Sequence, residues 1–143
     1  SEKDIKDVLE IRKVLEELAA GLAAENMTRH SIVDLKEAHL DFIRAFNRGD
    51  SEGVIEADTR FHDIIFDATK NDKLIQIISN ISIQIYRYRI TYLKLLTDIS
   101  VPDQQHLELI NAFEKKDAVK ARAVSGEHIE DQTREILKSI KNS

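Results

Sequence analysis

In the run ADTRFHDIIF, Ala57 to Phe66, a carboxylate and an imidazole stand four residues apart on what otherwise reads as the inward face of a helix. At about 100° per residue, Val54, Ala57, Phe61, Ile64, Ile65 and Ala68 fill one arc, and Asp58 and His62 fall inside it. Glu56, Arg60 and Asp63 fall outside it or at its margins. An unpaired carboxylate on such a face is costly, so Asp58 needs a cation or hydrogen-bond donors. His62 lies one turn above it on the same face, which suits an ion pair, a hydrogen bond or two ligands of one metal. Two further imidazoles repeat the anomaly. His106 shares a line with Ile110 and Phe113, and His128 borders the stripe of Ala121, Ser125, Ile129 and Ile136. If the three helices converge, three imidazoles and one carboxylate suit Zn, Ni, Mn or Fe, with two positions open on a six-coordinate ion.

The plainer explanation is that a histidine on an apolar face is usually a satisfied core residue. His39 illustrates it: it lies with Leu35, Ile43 and Phe46, has no carboxylate one turn away, and reads as a core or pocket-edge histidine. His30, near a helix start, reads as exposed.

The elements that would position these groups are helical throughout. The first spans about Asp4 to Glu25, with Ile5, Val8, Leu9, Ile11, Leu15, Leu18 and Leu22, and ends at Asn26-Met27. Thr28 reads as the N-cap of a second, which stops at Asn47-Arg48-Gly49 with Gly49 as a left-handed C-terminal cap. Asp50 or Ser51 then caps a third, carrying the opening run and ending near Lys70-Asn71, where Asn tolerates the left-handed conformation. Asp72 is expected to cap one long fourth helix, about Lys73 to Leu96. TDISVPD holds the only proline and marks the clearest break. A fifth helix is expected from about Asp103 to Lys115, and a sixth, capped by Asp117, almost to the end. The periodicity predicts a single all-α bundle over residues 1–143 with no internal repeat or linker.

Composition narrows the function classes. The 143 residues suffice for one domain with a sizeable core, and at 42% hydrophobic and 33% charged they can fold and stay soluble. Without cysteine there is no disulfide framework and no thiolate metal site, which fits a reducing, cytoplasmic setting. No apolar run approaches the roughly 20 residues of a membrane span, so no membrane partner is expected. A net charge of −5 with no basic cluster makes the chain alone a poor nucleic-acid binder.

The stretches EIRKVLEELAAGLAA, NRGDSEGVIEADTRFHDIIFDATKNDKL, QHLELINAFEKKDAVKA and GEHIEDQ occur in that order. D-x-x-F-H is followed by a His at a helix start and later by A-x-x-x-x-x-x-H. This succession resembles the FadR-type C-terminal ligand-binding domain (FCD) of GntR-superfamily bacterial transcription regulators, over about Val8 to Ile136. The resemblance implies an antiparallel bundle of six or seven helices enclosing a pocket. In the family's metal-binding branch one Asp and three His hold a divalent ion, and by position these are Asp58, His62, His106 and His128. It further implies a sensor for small organic acids, in which a metal takes a carboxylate and a cationic side chain neutralises the remaining charge. Arg12, in the E-x-R-x-x-L-E stretch, matches the family's arginine; the alternative is a surface arginine paired with Glu16. Arg89, Tyr92 and Arg87 are further pocket candidates, Tyr86 and Tyr88 belong to core or dimer surface, and Asn71 is expected to end a helix. Gln105 departs from a Glu that often precedes the second metal histidine. The family's winged helix-turn-helix does not occur in the chain, so DNA would be met only through a separate N-terminal domain.

The resulting expectation is the effector-binding and dimerisation domain of a GntR-family regulator, sensing a small carboxylate through a bound divalent transition metal, foremost Zn or Ni. It is not expected to be an enzyme. A homodimer is expected, with Ile81, Ile85, Tyr88 and Tyr92 of the fourth helix, and with it the first, as its face. A metal-dependent hydrolase is the rival, but it needs Glu127 or Glu130 turned inward as a general base. A ligand-free helical interaction module is the third reading, and it places His106 far from the Asp58–His62 pair.

Overall fold

The computed structural model describes residues 1–142 and places them in seven helices with no strand among them. They are α1 (Glu2–Asn26), α2 (Arg29–Asn47), α3 (Ser51–Ala68), α4 (Asp72–Asn80), α5 (Ser82–Leu95), α6 (Ser100–Glu114) and α7 (Ala118–Lys141). The caps follow local chemistry. Thr28, Asp50 and Asp117 each accept a hydrogen bond from the third residue after them, and Gly49 takes a left-handed φ of 72° between α2 and α3.

Four expectations need correction. The long fourth helix is two, α4 and α5, broken at Ile81 (φ −113°, ψ 12°). Ser79, Asn80 and Ser82 crowd this point, and Ser82 Oγ donates to the Ser79 carbonyl, a local bond that competes with the helical ladder. The left-handed residue after α3 is Lys70 (φ 56°), while Asn71, rather than Asp72, caps α4 by accepting from Leu74 N–H. Helix α6 starts at Ser100, with Pro102 inside its first turn, where a missing N–H costs nothing. Ile85 and Tyr92 are buried within the chain, so they do not form an outward face.

Helix α1 packs along α7 and α2 along α3, with α6 and α5 closing the bundle. Small residues bring α1 and α7 close. Ala19, Ala20, Ala23 and Ala24 are buried with Ala121 and Val124, and a Cβ added at Gly126 would fall 2.8 Å from Glu17 Oε2. Two apolar clusters result, one around Leu35, Phe61, Leu109 and Phe113, the other around Leu9, Phe42, Tyr92 and Ile136. Between them lie polar side chains, among them His106, which rests against Phe61 of the first and Phe42 of the second.

Candidate metal centre

Helix α3 supplies Asp58 and His62, α6 supplies His106 and α7 supplies His128, all buried. One ring nitrogen from each histidine lies within 4.8 Å of the others. Asp58 Oδ1 lies 3.3 Å from His106 Nε2 and 3.6 Å from His62 Nε2. Ligands bonded about 2.1 Å from one ion are about 3.0–3.5 Å apart, so the carboxylate already stands at ligand spacing from two imidazoles. The burial of unsatisfied atoms points the same way. Among the described residues, the buried side-chain atoms without a hydrogen-bond partner are Asp58 Oδ2, His62 Nε2, His106 Nε2, Arg12 Nη2 and Arg89 Nε. Buried polar groups are ordinarily satisfied; Asp58 Oδ2 and Arg89 Nε face each other as an ion pair at 3.5 Å, and His62 Nε2, His106 Nε2 and Arg12 Nη2 leave room for a further group. The donor set fits a divalent transition metal on the acceptor side.

Two guanidinium groups and a second carboxylate border these four residues. Arg12 is fully buried on α1, donating from Nε to Glu16 Oε2 at 2.7 Å and from Nη1 to Gln132 Oε1 at 2.9 Å. Its pairing with Glu16 is therefore real, but inside the protein rather than on its surface. Arg89, from α5, places Nε 3.5 Å from Asp58 Oδ2 and donates from Nη1 to Thr59 Oγ1. Glu16, which the sequence offers only as a surface partner in the alternative to a pocket Arg12, lies inside, with its Oε1 3.0 Å from His62 Nδ1. The signal was present, because Leu9, Arg12, Glu16, Ala19, Ala20 and Ala23 share the buried face of α1.

Burial alone would raise the carboxyl pKa of Glu16, but Arg12, His62 and Arg89 outweigh it and hold it well below the usual range. Burial opposes the charge of Asp58 as well, and the charge of His62 prevails, holding its carboxyl well below the usual range. His62 is the one imidazole pushed upward: burial lowers it, and Asp58 and Glu16 on either side more than compensate. Burial pushes His106 and His128 down, the latter well below the ordinary value with the positive His62 beside it, so both stay neutral.

A second tier surrounds the imidazoles. His39 Nδ1 lies 3.1 Å from His106 Nδ1, and His39 Nε2 lies 2.9 Å from Asp103 Oδ1. Gln105 Oε1 lies 2.6 Å from His128 Nδ1, and Gln105 Nε2 donates to Asp131 Oδ2 at 2.7 Å. The sequence predicts His39 as a core or pocket-edge histidine, and it is buried beside His106; its carboxylate partner Asp103 reaches it only through the packing of α2 on α6.

A cleft of about 530 Å³ opens between α3, α4 and α5, with Glu16 and Arg89 among its lining together with Thr59, Asp63, Ser82 and Tyr86. The buried Glu16 and Arg89 form part of its wall, while Asp58, His62, His106, His128 and Arg12 do not line it. Tyr92 is buried and lines a different cleft with Asp131 and Arg134. Arg87 and His30 are exposed, as are Glu127 and Glu130, so neither of the latter is turned inward as a general base. His106 stands 3.3 Å from Asp58, where the ligand-free module required it to be remote.

An all-helical bundle with ionisable residues converging beneath an open cleft defines a small-molecule-binding domain. The chain belongs to the FCD domain family, whose model matches residues 7–131. In that family it is the effector-binding regulatory domain of a GntR-type regulator. No curated protein matches the chain. No helix is long and apolar enough to cross a membrane.

Proposed function

We propose that the chain is a metal-assisted sensor of small carboxylates, with Asp58, His62, His106 and His128 as metal ligands and Arg12 and Arg89 as the ligand's cationic partners. The observation that carries this reading is the convergence of three buried imidazoles within 4.8 Å of one another beside Asp58, with His62 Nε2, His106 Nε2 and Arg12 Nη2 lacking a hydrogen-bond partner. A divalent ion bound by the four ligands would supply Lewis acidity and open positions for a carboxylate and a neighbouring hydroxyl. The residues themselves set the sign of the effector. Nearest the ligands, Arg12, Arg89 and a protonated His62 face two anions, Asp58 and Glu16, an excess of one positive charge there, while Asp63 and Asp67 line the cleft above them. With a divalent ion and His62 deprotonated to ligate it, the balance becomes four positive against two negative. An organic anion entering past Glu16 and Arg89 relieves that imbalance.

The effector would bridge α1, α3, α5, α6 and α7 and so favour one arrangement of the bundle, or of a homodimer, over another. Operator affinity would then change through a DNA-binding domain outside these residues. The test is elemental analysis by mass spectrometry of the purified, tag-free chain beside a His62→Ala, His106→Ala double variant. About one transition-metal ion per chain, lost in the variant, supports the reading. A thermal-shift screen of hydroxy acids, dicarboxylates and sugar acids, with and without chelator, then identifies the effector class. A chain that takes up no Zn, Ni or Mn, and whose melting responds to no carboxylate, would sink it.

A further inference from the structure

Resting on the reading of His106 and His128 as metal ligands, we propose that Asp103 and Asp131 are positioning residues for the centre, acting through His39 and Gln105 to fix both imidazoles as Nδ1–H tautomers with the lone pair on Nε2. Neither aspartate touches the candidate ligands. Their side chains are 37% and 20% exposed, at the outer edge of the bundle, and each sits one residue removed from an imidazole.

The inference follows from which groups can donate. An ionised carboxylate only accepts, so His39 Nε2, 2.9 Å from Asp103 Oδ1, carries the hydrogen. With its hydrogen on Nε2, held there by Asp103, the imidazole has its lone pair on Nδ1, which is therefore an acceptor. His106 Nδ1, 3.1 Å away, must then donate, and His106 in turn has its lone pair on Nε2. That lone pair faces Asp58 Oδ1 at 3.3 Å, acceptor against acceptor, an arrangement unfavourable until a cation stands between them. Without Asp103, the nearby Asp58 carboxylate would draw the hydrogen to Nε2 and close the position.

The second relay reaches the same result by amide orientation. Asp131 Oδ2 accepts from Gln105 Nε2 at 2.7 Å, while its Oδ1 takes Arg134 Nη1. The amide is thereby turned so that its oxygen meets His128 Nδ1 at 2.6 Å, and a carbonyl oxygen only accepts, so Nδ1 carries the hydrogen. The other side of the ring agrees independently. Arg12 Nη1 donates to Gln132 Oε1, which directs Gln132 Nε2–H to His128 Nε2 at 3.0 Å, where it needs a lone pair. Hydrogen bonds of this kind fix ring orientation and raise ligand basicity, and their loss typically weakens metal affinity about 10- to 100-fold. The Glu-to-Gln departure before His106 thus has a physical role: Gln105 transmits Asp131's preference to His128, a different ligand from its neighbour in sequence.

The test reads tautomers in the metal-free chain, by long-range proton–nitrogen correlation spectra of histidine labelled with nitrogen-15. Wild type is expected to show Nδ1–H at His106 and His128. His39→Phe removes the acceptor from His106 while keeping an aromatic ring beside Phe42 and Phe61, and should move His106 towards Nε2–H. Asp103→Ala, at its half-exposed position, should do the same with little risk to the fold. Gln105→Leu should release His128, and Gln105→Glu should restore its Nδ1–H. Zinc affinity by chelator competition should fall about 10- to 100-fold in His39→Phe and Gln105→Leu. Nε2–H at either histidine in wild type, or an unmoved His106 in both His39→Phe and Asp103→Ala, overturns the proposal. Expected tautomers in a chain that binds no metal would leave the relay standing and sink the metal reading. Metal bound with unchanged affinity in every variant would sink the relay alone.

Discussion

Replacing Glu16 with Gln removes a negative charge from an interior that holds it against two cations. Glu16 Oε2 accepts from Arg12 Nε at 2.7 Å, and Oε1 lies 3.0 Å from His62 Nδ1. Gln has one oxygen, so one of these bonds survives without its charge and the other becomes donor against donor. A hydrogen bond to a charged group contributes about 1.5–3 kcal/mol, and removing one member of a buried ion pair costs about 3–5 kcal/mol. Both routes lead to a loss of about 3 kcal/mol, or a fall in Tm of about 9 °C for a chain of this size. The assay is urea unfolding of the metal-free chain, followed by far-ultraviolet circular dichroism at pH 6 and pH 3. The pH dependence has a definite sign. Glu16 is depressed in the folded chain, so its contribution is complete above an unfolded pKa of about 4.3 and is lost as pH falls through the lower folded value. His62 is raised, so its contribution is complete below about 6.5 and is lost as pH rises through its folded value. The gap between wild type and Glu16→Gln should therefore be widest between about pH 5 and 6.5 and narrow at pH 3. A gap under about 1 kcal/mol at pH 6, or one equally large at both pH values, would refute the charge arrangement assigned to Glu16.

Three further outcomes are expected. Phe61→Ala removes a fully buried ring stacked on His106 at a centroid distance of 4.0 Å, and should cost about 3–5 kcal/mol by urea unfolding, with Phe61→Leu costing clearly less. Burial, reinforced by the charges of Asp58 and Asp131, pushes the Tyr92 phenol well above its ordinary value. Its contribution to stability is complete below about pH 10 and declines as pH rises beyond it, so absorbance at 295 nm should show Tyr92 ionising only with unfolding. Zinc held at about 100 times its Kd should stabilise the chain by about 2.7 kcal/mol, a gain that chelator removes and that His128→Ala abolishes.

How far the sequence reveals this molecule depends on whether a feature belongs to one helix or to several. Caps are local: Thr28, Asp50 and Asp117 act within three residues of themselves, and their types announce them. The phase of a side chain is also local, so the inward direction of Asp58, His62, His106 and His128 could be read from periodicity and proved to bring them together. The break at Ile81 was hidden because the apolar repeat keeps its phase from Leu74 through Ile85, while the cause lies in the polar Ser79, Asn80 and Ser82 between. The inward position of Glu16 was left open for a related reason. An Arg–Glu pair at i, i+4 is also what an exposed helix face carries, and the small residues around it mark this one as internal.

Partners across helices are a different matter. His39 and Asp103 meet through the packing of α2 and α6, and Gln105 and Asp131 through that of α6 and α7. No periodicity encodes such meetings, yet they decide which nitrogen of each imidazole carries a hydrogen. Likewise, each helix on its own offers a mixture of charges, and only the assembled interior has a sign. Arg12 from α1 and Arg89 from α5 meet Glu16 from α1 and Asp58 and His62 from α3 beneath a cleft that Asp63 and Asp67 also line. In the proposed sensor, that geometry turns a set of buried ionisable residues, expensive as core, into a place where an anion is the missing counter-charge.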